Sequence, residues 1–414
     1  MDYTQRKIGI IGAGPSGMMS AIYALQNGAD VTIFEKNDRV GKKLAITGKG
    51  RCNVTNDCDN QEFLKNVISN PKFLYASINY FSTADTKAFF EGAGVELKTE
   101  RGRRVFPVSD KAMDIVMALK RTMTDYGARL VNERVIGLNI ENGEIRGLKT
   151  DKKSYDFDAV IVATGGASYP QTGSDGDGYK LAKKCGIEVT PLIPSLVPVE
   201  TCESVYEIMG VSLKNVTLKI KNNDTGKIDF EEMGEMLFTH FGLSGPLVLS
   251  ATCHMNNMRE GKYTAIIDFK PALDVKTLDK RILSDFSKQQ NRDFSNALGG
   301  LLPSKIIPFM IRKSGISPNE KVNNITKEQR AKLVEILKGL SLDIKCFRPI
   351  KEAIVTSGGI KVSEINPSTM ESKKIKGLYF AGEVIDVDAY TGGYNLQIAF
   401  STGALAGTHS AWND

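Results

Sequence analysis

Several things are missing from this sequence, and each absence removes a class of protein. The six cysteines, Cys52, Cys58, Cys185, Cys202, Cys253 and Cys346, are scattered. None forms C-x-x-C, so neither a zinc knuckle nor a dithiol redox pair is written here, and reduced thiols in a cytoplasmic protein are expected. No apolar run is long enough to span a bilayer, and the chain enters an apolar strand almost at once, so neither a membrane partner nor a signal peptide is expected. The formal net charge of +6 is mild and no Lys/Arg block stands out, so a small-molecule substrate is expected and a nucleic acid is not. No internal repeat or low-complexity tract occurs. Asp175 and Asp177 lie in a glycine-rich turn without a partnering His or acid cluster, so they read as turn and N-cap residues and no metal is expected. Nothing in the sequence specifies an oligomeric state.

What is present begins at Lys7. The stretch KIGIIGAGPSGMMSAIYALQNGADVTIFEK runs to Lys36. Lys7 to Ile11 is a β-branched apolar run and reads as a buried strand. Gly12, Gly14 and Gly17 supply G-x-G-x-x-G, and Met18, Ala21, Ile22 and Leu25 follow at helical spacing up to Gly28, a C-cap residue. Val31 to Phe34 is a second strand with Glu35 at its end. The three glycines serve a tight turn, close approach of a pyrophosphate and close helix–strand packing, while the helix N-terminus offers N–H groups to the phosphates. Glu35 can accept hydrogen bonds from an adenosine ribose, and an acid there disfavours a 2′-phosphate. The stretch by itself does not separate FAD from NAD.

Val40 to Asn56 (VGKKLAITGKGRCNVTN) has almost no period. It follows the strand carrying Glu35, where a doubly wound fold binds its ligand, so we expect a cofactor-contacting loop in which Lys42, Lys43 and Arg51 neutralise a pyrophosphate. Phe63 to Gly92 reads as helical, with Phe73, Ile78, Phe81, Phe89 and Phe90 as core. A hairpin follows, in which Arg103 and Arg104 either hold an acidic group of substrate or cofactor or are plain surface arginines. Asp110 to Tyr126 is a helix. Ala128 to Val131, Val135 to Glu141 and Glu144 to Thr150 read as a β-meander turning at Asn142-Gly143. Asp158 to Ala163 is a buried strand closed by Thr164, Gly165 and Gly166. From about Pro191 strands alternate with Asn/Gly turns without helical crossovers, and from Leu278 to Gly339 the pattern is helical. Gly377 to Ala381 is again a buried strand, followed by Gly382, Glu383 and Asp386, the run TGGYN and a helix from Leu396 to Ala406.

The fold class is therefore α/β: a Rossmann-like domain, central parallel sheet plus β-meander, interrupted by an antiparallel β-rich insert and a small helical subdomain. The expected boundaries are 1–192 and 349–414 for the two parts of the nucleotide domain, 193–275 for the insert and 276–348 for the helical part.

The stretches KIGIIGAGPSG, GKKLAITGKGRCNVTN, GRRVFPVS, VIVATGGASYPQTGSDGDGYKLA, GEMLFTHFGLSGP and NPSTMESKKIKGLYFAGEVIDVDAYTGGYNLQIAFSTG together resemble the BaiN/YhiN-type flavoproteins, a family of FAD-dependent oxidoreductases. The resemblance covers essentially the whole chain. It implies non-covalently bound FAD and a domain inserted between the halves of the FAD domain. Members of that family include one that reduces A/B-ring double bonds of 3-oxo bile acids and one that oxidises aminoacetone with oxygen.

The cofactor contacts expected on this reading are Gly12, Gly14, Ser16, Gly17, Glu35 and Lys36 in the first motif; Lys43, Leu44, Gly50, Arg51, Cys52 and Asn53 in the loop; Val135, Ala163, Thr164 and Gly165 in the middle; and Gly382, Glu383, Asp386, Gly393, Tyr394, Asn395 and Leu396 at the end. Glu383 and Asp386 are candidate acceptors for the ribityl chain. Gly392 and Gly393 leave room for the isoalloxazine ring, and the helix starting near Asn395 aims its N-terminus at the pyrimidine side, favouring the anionic reduced flavin. Candidate catalytic residues are Tyr169, Tyr394 and His240; Cys52 beside Arg51 reads as a packed thiol rather than an activated one. No second G-x-G-x-x-G lies between a strand and a helix, so a nicotinamide donor, NADH or NADPH, would visit only transiently. The leading expectation is NAD(P)H-linked reduction of an activated C=C bond. The alternatives are an amine oxidase that makes hydrogen peroxide and a non-catalytic flavin protein whose insert binds a partner.

Overall fold

The computed structural model describes residues 5–412. The chain forms two compact units: the first runs to Ser195 and resumes at Ile350, and the second is Leu196–Pro349.

The first unit is built on five short strands, β1 (Lys7–Ile11), β2 (Asp30–Phe34), β6 (Arg129–Val131), β10 (Ala159–Val162) and β19 (Leu378–Phe380), of which all but the edge strand β6 are almost wholly buried. Apolar runs without alternation suit a parallel sheet covered on both faces. The order is β19-β10-β1-β2-β6, parallel throughout. The C-terminal strand thus comes home beside β10, as expected of an interrupted domain. From β1 the chain steps one way to β2 and the other way to β10, so the carboxyl ends of β1 and β10 flank the switch point where such sheets bind ligands.

The strand at 129–131 does not join the meander. It lies at the sheet edge parallel to β2, because helix α5 (Ala112–Asp125) supplies the crossover that a parallel neighbour requires. The meander is instead β7 (Val135–Glu141), β8 (Glu144–Thr150) and β9 (Ser154–Asp156), with Asn142 and Gly143 both left-handed at the hairpin turn. The 63–92 stretch is not one helix. It divides into α2 (Asn60–Lys65), α3 (Tyr75–Tyr80) and α4 (Thr83–Gly92), the last started by a Ser82–Asp85 capping box. A small sheet, β3 (Thr55–Asn56), β5 (Arg104–Pro107) and β4 (Leu97–Glu100), follows the order β3-β5-β4. Strands β11 (Ile193–Ser195) and β18 (Val355–Ser357) pair antiparallel where the chain leaves and re-enters the unit.

Helices α1 (Pro15–Gln26) and α11 (Tyr394–Ala411) pack with backbones in near contact. A Cβ on Gly403 would lie 2.5 Å from the Ser16 carbonyl oxygen, and one on Gly407 2.3 Å from that of Ser20. Since 16 meets 403 and 20 meets 407, the two helices run in the same direction.

The second unit is a closed barrel of order β12-β15-β14-β13-β16-β17. Its strands are β12 (Val199–Thr201), β13 (Ser212–Asn222), β14 (Ile228–Phe238), β15 (Gly242–Ser244), β16 (Tyr263–Asp268) and β17 (Leu340–Phe347). β17 falls within the part expected to be helical. Leu340, Leu342 and Ile344 alternate inward, and β17 closes the barrel against β16 and β12. Helices α7 (Pro246–Thr252), α8 (Val275–Ser287), α9 (Ile307–Ser314) and α10 (Lys327–Gly339) share one continuous core with the strands, so the segments expected as separate β and helical modules are one body.

Candidate functional site

At the switch point the three glycines of the first motif divide their work. Gly12 turns at φ 101, and a Cβ there would stand 2.6 Å from the Ala163 carbonyl oxygen, so it lets the end of β1 meet the end of β10. Gly17 faces the Gly12 carbonyl, where a Cβ would be only 1.9 Å away. Gly14 differs from both: its φ of −81° and ψ of −174° suit any residue, and a Cβ would meet nothing within 4 Å. Neither backbone nor packing calls for glycine there, so the space in front of it is kept for something else. That space faces the start of α1, which has no side-chain cap, and such a helix end suits a phosphate. Glu35 is buried and fixed: its Oε2 accepts from Ala13 N–H at 2.9 Å, and its Oε1 accepts from the Asn37 N–H and Nδ2 at 2.8 and 2.7 Å. A carboxylate holds about four lone-pair sites, so capacity for a ribose hydroxyl remains.

Beside Glu35 a polar cavity of about 560 Å³ is lined by Lys36, Asn132, Glu133, Arg134 and Asp175, among others. Val135 begins β7 directly after this link. Asp177 is the first residue of α6 (Asp177–Lys184), whose N-cap is Gly176; it does not cap, contrary to expectation. It meets Lys36 Nζ at 2.9 Å and Arg134 at 2.7 Å instead, and Lys36 also reaches Asp175 at 2.6 Å. Burial opposes ionisation of Asp177, but Arg134, Lys36 and Lys180 hold its carboxyl well below the usual carboxylate range. A carboxyl lowered in the folded state stabilises above its unfolded value and loses that contribution as pH falls through the folded one. Asp177→Asn should therefore lower the melting temperature by a few degrees at neutral pH. In scans from pH 7 down to 3, the gap to the unmodified protein should stay constant and then begin to narrow below about pH 4.

The far end of the crevice is formed by the C-terminal segment. Gly382, at φ 77, abuts Ser16, where a Cβ would lie 2.5 Å from Oγ. The Glu383 carboxylate already holds three donors: Lys43 Nζ at 2.6 Å, Thr356 N–H at 2.9 Å and Ser168 Oγ at 3.1 Å, with Lys43 also on Ser168. Asp386 turns towards Thr190, Asn70 and the Gly358 amide, and burial raises its pKa despite them.

The turn at 389–393 is held by three asparagines. Asn395 bonds the backbone of Ala389 and Tyr390, and Asn56 Nδ2 donates to Gly392 O and Gly102 O, each at 3.1 Å. With its amide turned to satisfy its neighbours, Asn53 accepts from Gly393 N–H at 3.0 Å and donates to Thr55 O and Val105 O. Gly392 and Gly393 do not open room for a ring. A Cβ on Gly393 would lie 2.3 Å from the Thr55 carbonyl, so glycine here brings helix α11 against β3. The first turn of α11 (Tyr394, Asn395, Leu396) has no side-chain cap. Tyr394 packs on Phe63 at 5.5 Å between rings, and burial, aided by Cys58 and Glu62, pushes its phenol up to about 12.

The cations expected around a pyrophosphate already have partners. Lys43 serves Glu383 and Ser168. Arg51 pairs with Glu100 and Asp110 and lies over the Phe106 ring. Lys42 meets Asp38 at the surface. Cys52 is buried at φ 61, and burial pushes its thiol up to about 12, so it is packed and not activated. Leu44 is buried, and Gly50 faces open space. Thr164 and Gly165 close β10, and Gly165 abuts Ser174 Oγ. Tyr169 is half-buried at φ 52. His240 belongs to the second unit, exposed in the turn between β14 and β15 with its ring against Phe241.

Sequence reasoning missed Ser168, Thr356 and Asn56, which have no local signature. It also missed the pairs Ser16/Ser20 and Gly403/Gly407, whose four-residue spacing of small side chains was a readable sign of close helix packing. That packing sets the site's length. Gly403 is nine residues into α11 and Ser16 one residue into α1, so along the helix axis the start of α11 lies about 12 Å beyond the start of α1, with both N-termini facing the same way.

A parallel sheet reversing between β1 and β10, with a glycine turn and an uncapped helix start at the reversal, defines a Rossmann-type nucleotide-binding domain. The description HI0933-like protein Rossmann domain matches residues 6–409, and the chain belongs to that family, as its motifs led us to expect. The 3-dehydro-bile acid delta(4,6)-reductase of Clostridium scindens is 31% identical over 98% of this chain and 99% of its own length. The ribosomal RNA dihydrouridine synthase of Haemophilus influenzae is 30% identical over 95% of each chain. The structure of 3-ketosteroid-delta4-(5alpha)-dehydrogenase from Rhodococcus jostii, in complex with 4-androstene-3,17-dione, matches 100% of this chain and 99% of that one with TM-score 0.52 at 15% identity, a likeness of fold. Among the described residues no helix is long and apolar enough to cross a membrane.

Proposed function

We propose that the protein reduces a C=C bond conjugated to a carbonyl, using FAD and taking its electrons from NAD(P)H. One observation carries this reading. Two near-full-length relatives act on unlike molecules, yet their names describe the same bond change. A 3-oxo-Δ4 ring and the uracil ring each hold a C=C next to a carbonyl, and reduction adds hydrogen across it.

The residues present fit FAD. The open space at Gly14 and the start of α1 would take the diphosphate, Glu35 the ribose, and the start of α11 the pyrimidine side of the flavin, about 12 Å away. The chemistry FAD supplies when bound is hydride exchange with an organic partner. The chain's own tasks are to seat the substrate and to deliver a proton to the carbon next to the carbonyl. Tyr394 suits the second task, since a phenol pushed up to about 12 stays protonated at neutral pH. Lys43, by pairing with Glu383, fixes the segment that follows β19.

Anaerobic mixing tests the reading. NADH or NADPH should bleach the flavin, and a 3-oxo-Δ4 steroid acid or a uridine-containing RNA should restore its colour. Bleaching by aminoacetone with reoxidation by oxygen, and none by nicotinamides, would replace the reading with the amine-oxidase one. Tyr394→Phe should keep FAD and the bleaching step while slowing recolouring about a hundredfold. The mild charge favours the small molecule as substrate, and the Haemophilus influenzae relative is the observation that favours RNA.

A further inference from the structure

We propose that Arg103 binds an oxyanion of the substrate, a carboxylate or a phosphodiester, beside the turn at 391–393. The proposal rests on the reading of that turn as flavin-facing. Arg103 sits at the tip of the β4–β5 hairpin with φ 58, a left-handed conformation that is costly for a non-glycine residue and that gathers at ligand sites. The backbone around it is pinned. Asp57 N–H donates to Arg103 O at 2.7 Å, and Asn56 Nδ2 joins Gly102 O to Gly392 O, so one side chain ties the arginine tip to the turn that starts α11.

The neighbouring charges are spoken for. Lys87 holds Asp57, Lys98 and Arg51 share Glu100 and Asp110, and Arg104 Nε donates to Arg101 O. Among the described residues Arg103 makes no side-chain hydrogen bond or ion pair, and it is exposed. Its charge acts on Asp57, Cys58 and Tyr394, and the Asn56 bridge holds its hairpin tip against the turn that precedes Tyr394. An exposed guanidinium without a side-chain partner, carried on a hairpin tip whose backbone is tied to the turn at 391–393, offers the planar fork that carboxylates and phosphodiesters accept.

Titration of the bound flavin's absorbance separates the sources without requiring turnover. The probes are a 3-oxo-Δ4 steroid acid, its methyl ester, a uridine-containing RNA oligomer and free uridine. With unmodified protein, the acid should bind more tightly than the ester, or the RNA more tightly than the nucleoside. The arm showing the preference identifies carboxylate or phosphodiester. Arg103→Ala should weaken the preferred anion roughly tenfold or more, leave its neutral counterpart unmoved and retain FAD. Arg103→Lys should recover part of the loss. No anion preference in the unmodified protein, or a preference that survives Arg103→Ala, overturns the proposal. Reduction of neither probe would overturn the C=C reading alone, because the titrations stand apart from it.

Discussion

Gly14→Val should yield a folded, colourless protein. The backbone at Gly14 lies where valine is at ease, and a Cβ would touch no protein atom. Valine is a poorer N-cap than glycine, which costs the helix about 1 kcal/mol, too little to unfold the domain. The branched side chain would instead fill the space before the first amides of α1. Displacing a diphosphate from two charge-assisted hydrogen bonds, at about 1.5–3 kcal/mol each, weakens FAD more than a hundredfold. The check is the ratio of flavin to protein absorbance after purification, alongside circular dichroism. Gly17→Val is the contrast. Its Cβ would be driven into the Gly12 carbonyl, so that variant should fail to fold rather than fold empty. A yellow Gly14→Val protein would remove the diphosphate from this turn.

That contrast also marks what was legible in the sequence. The first motif is local, with turn, helix start and ribose acid all between Gly12 and Glu35, so spacing was enough to read it. The parallel strands were readable as unbroken apolar runs. The strand at 340–347 carries period-two burial at Leu340, Leu342 and Ile344 but sits against a long helical stretch, and the helical pattern masked it. The strand at 129–131 was assigned by its neighbours in sequence, whereas its partner β2 lies a whole crossover away. The loop cations have partners that the sequence did not show. Lys43 meets Glu383 across 340 positions, and Arg51 meets Asp110 across 59. Charge alone marked them as phosphate binders, because the carboxylates that neutralise them are distant in sequence.

Gly403→Ala should destabilise the first unit, although alanine is the better helix former. In an exposed helix the exchange gains about 0.5–1 kcal/mol. Gly92 in α4 is such a case, with nothing within 4 Å of a Cβ, and Gly92→Ala should raise the melting temperature. At Gly403 the new methyl would press on the Ser16 carbonyl from 2.5 Å, and overpacking of this kind costs about 1–3 kcal/mol. The sign of the change should therefore reverse between two glycine-to-alanine exchanges of identical chemistry. The damage should also reach the site, because Ser16 sits at the start of α1 and also touches Gly382. Pushing α11 away shifts its N-terminus relative to α1, so FAD retention should fall together with stability, and adding Gly407→Ala should deepen both losses. Thermal unfolding followed by far-ultraviolet dichroism and by flavin release measures the two effects. If Gly403→Ala behaved like Gly92→Ala, the helices would not be in backbone contact. The spacing of about 12 Å between their starts, on which the seating of the cofactor rests, would then have no physical support.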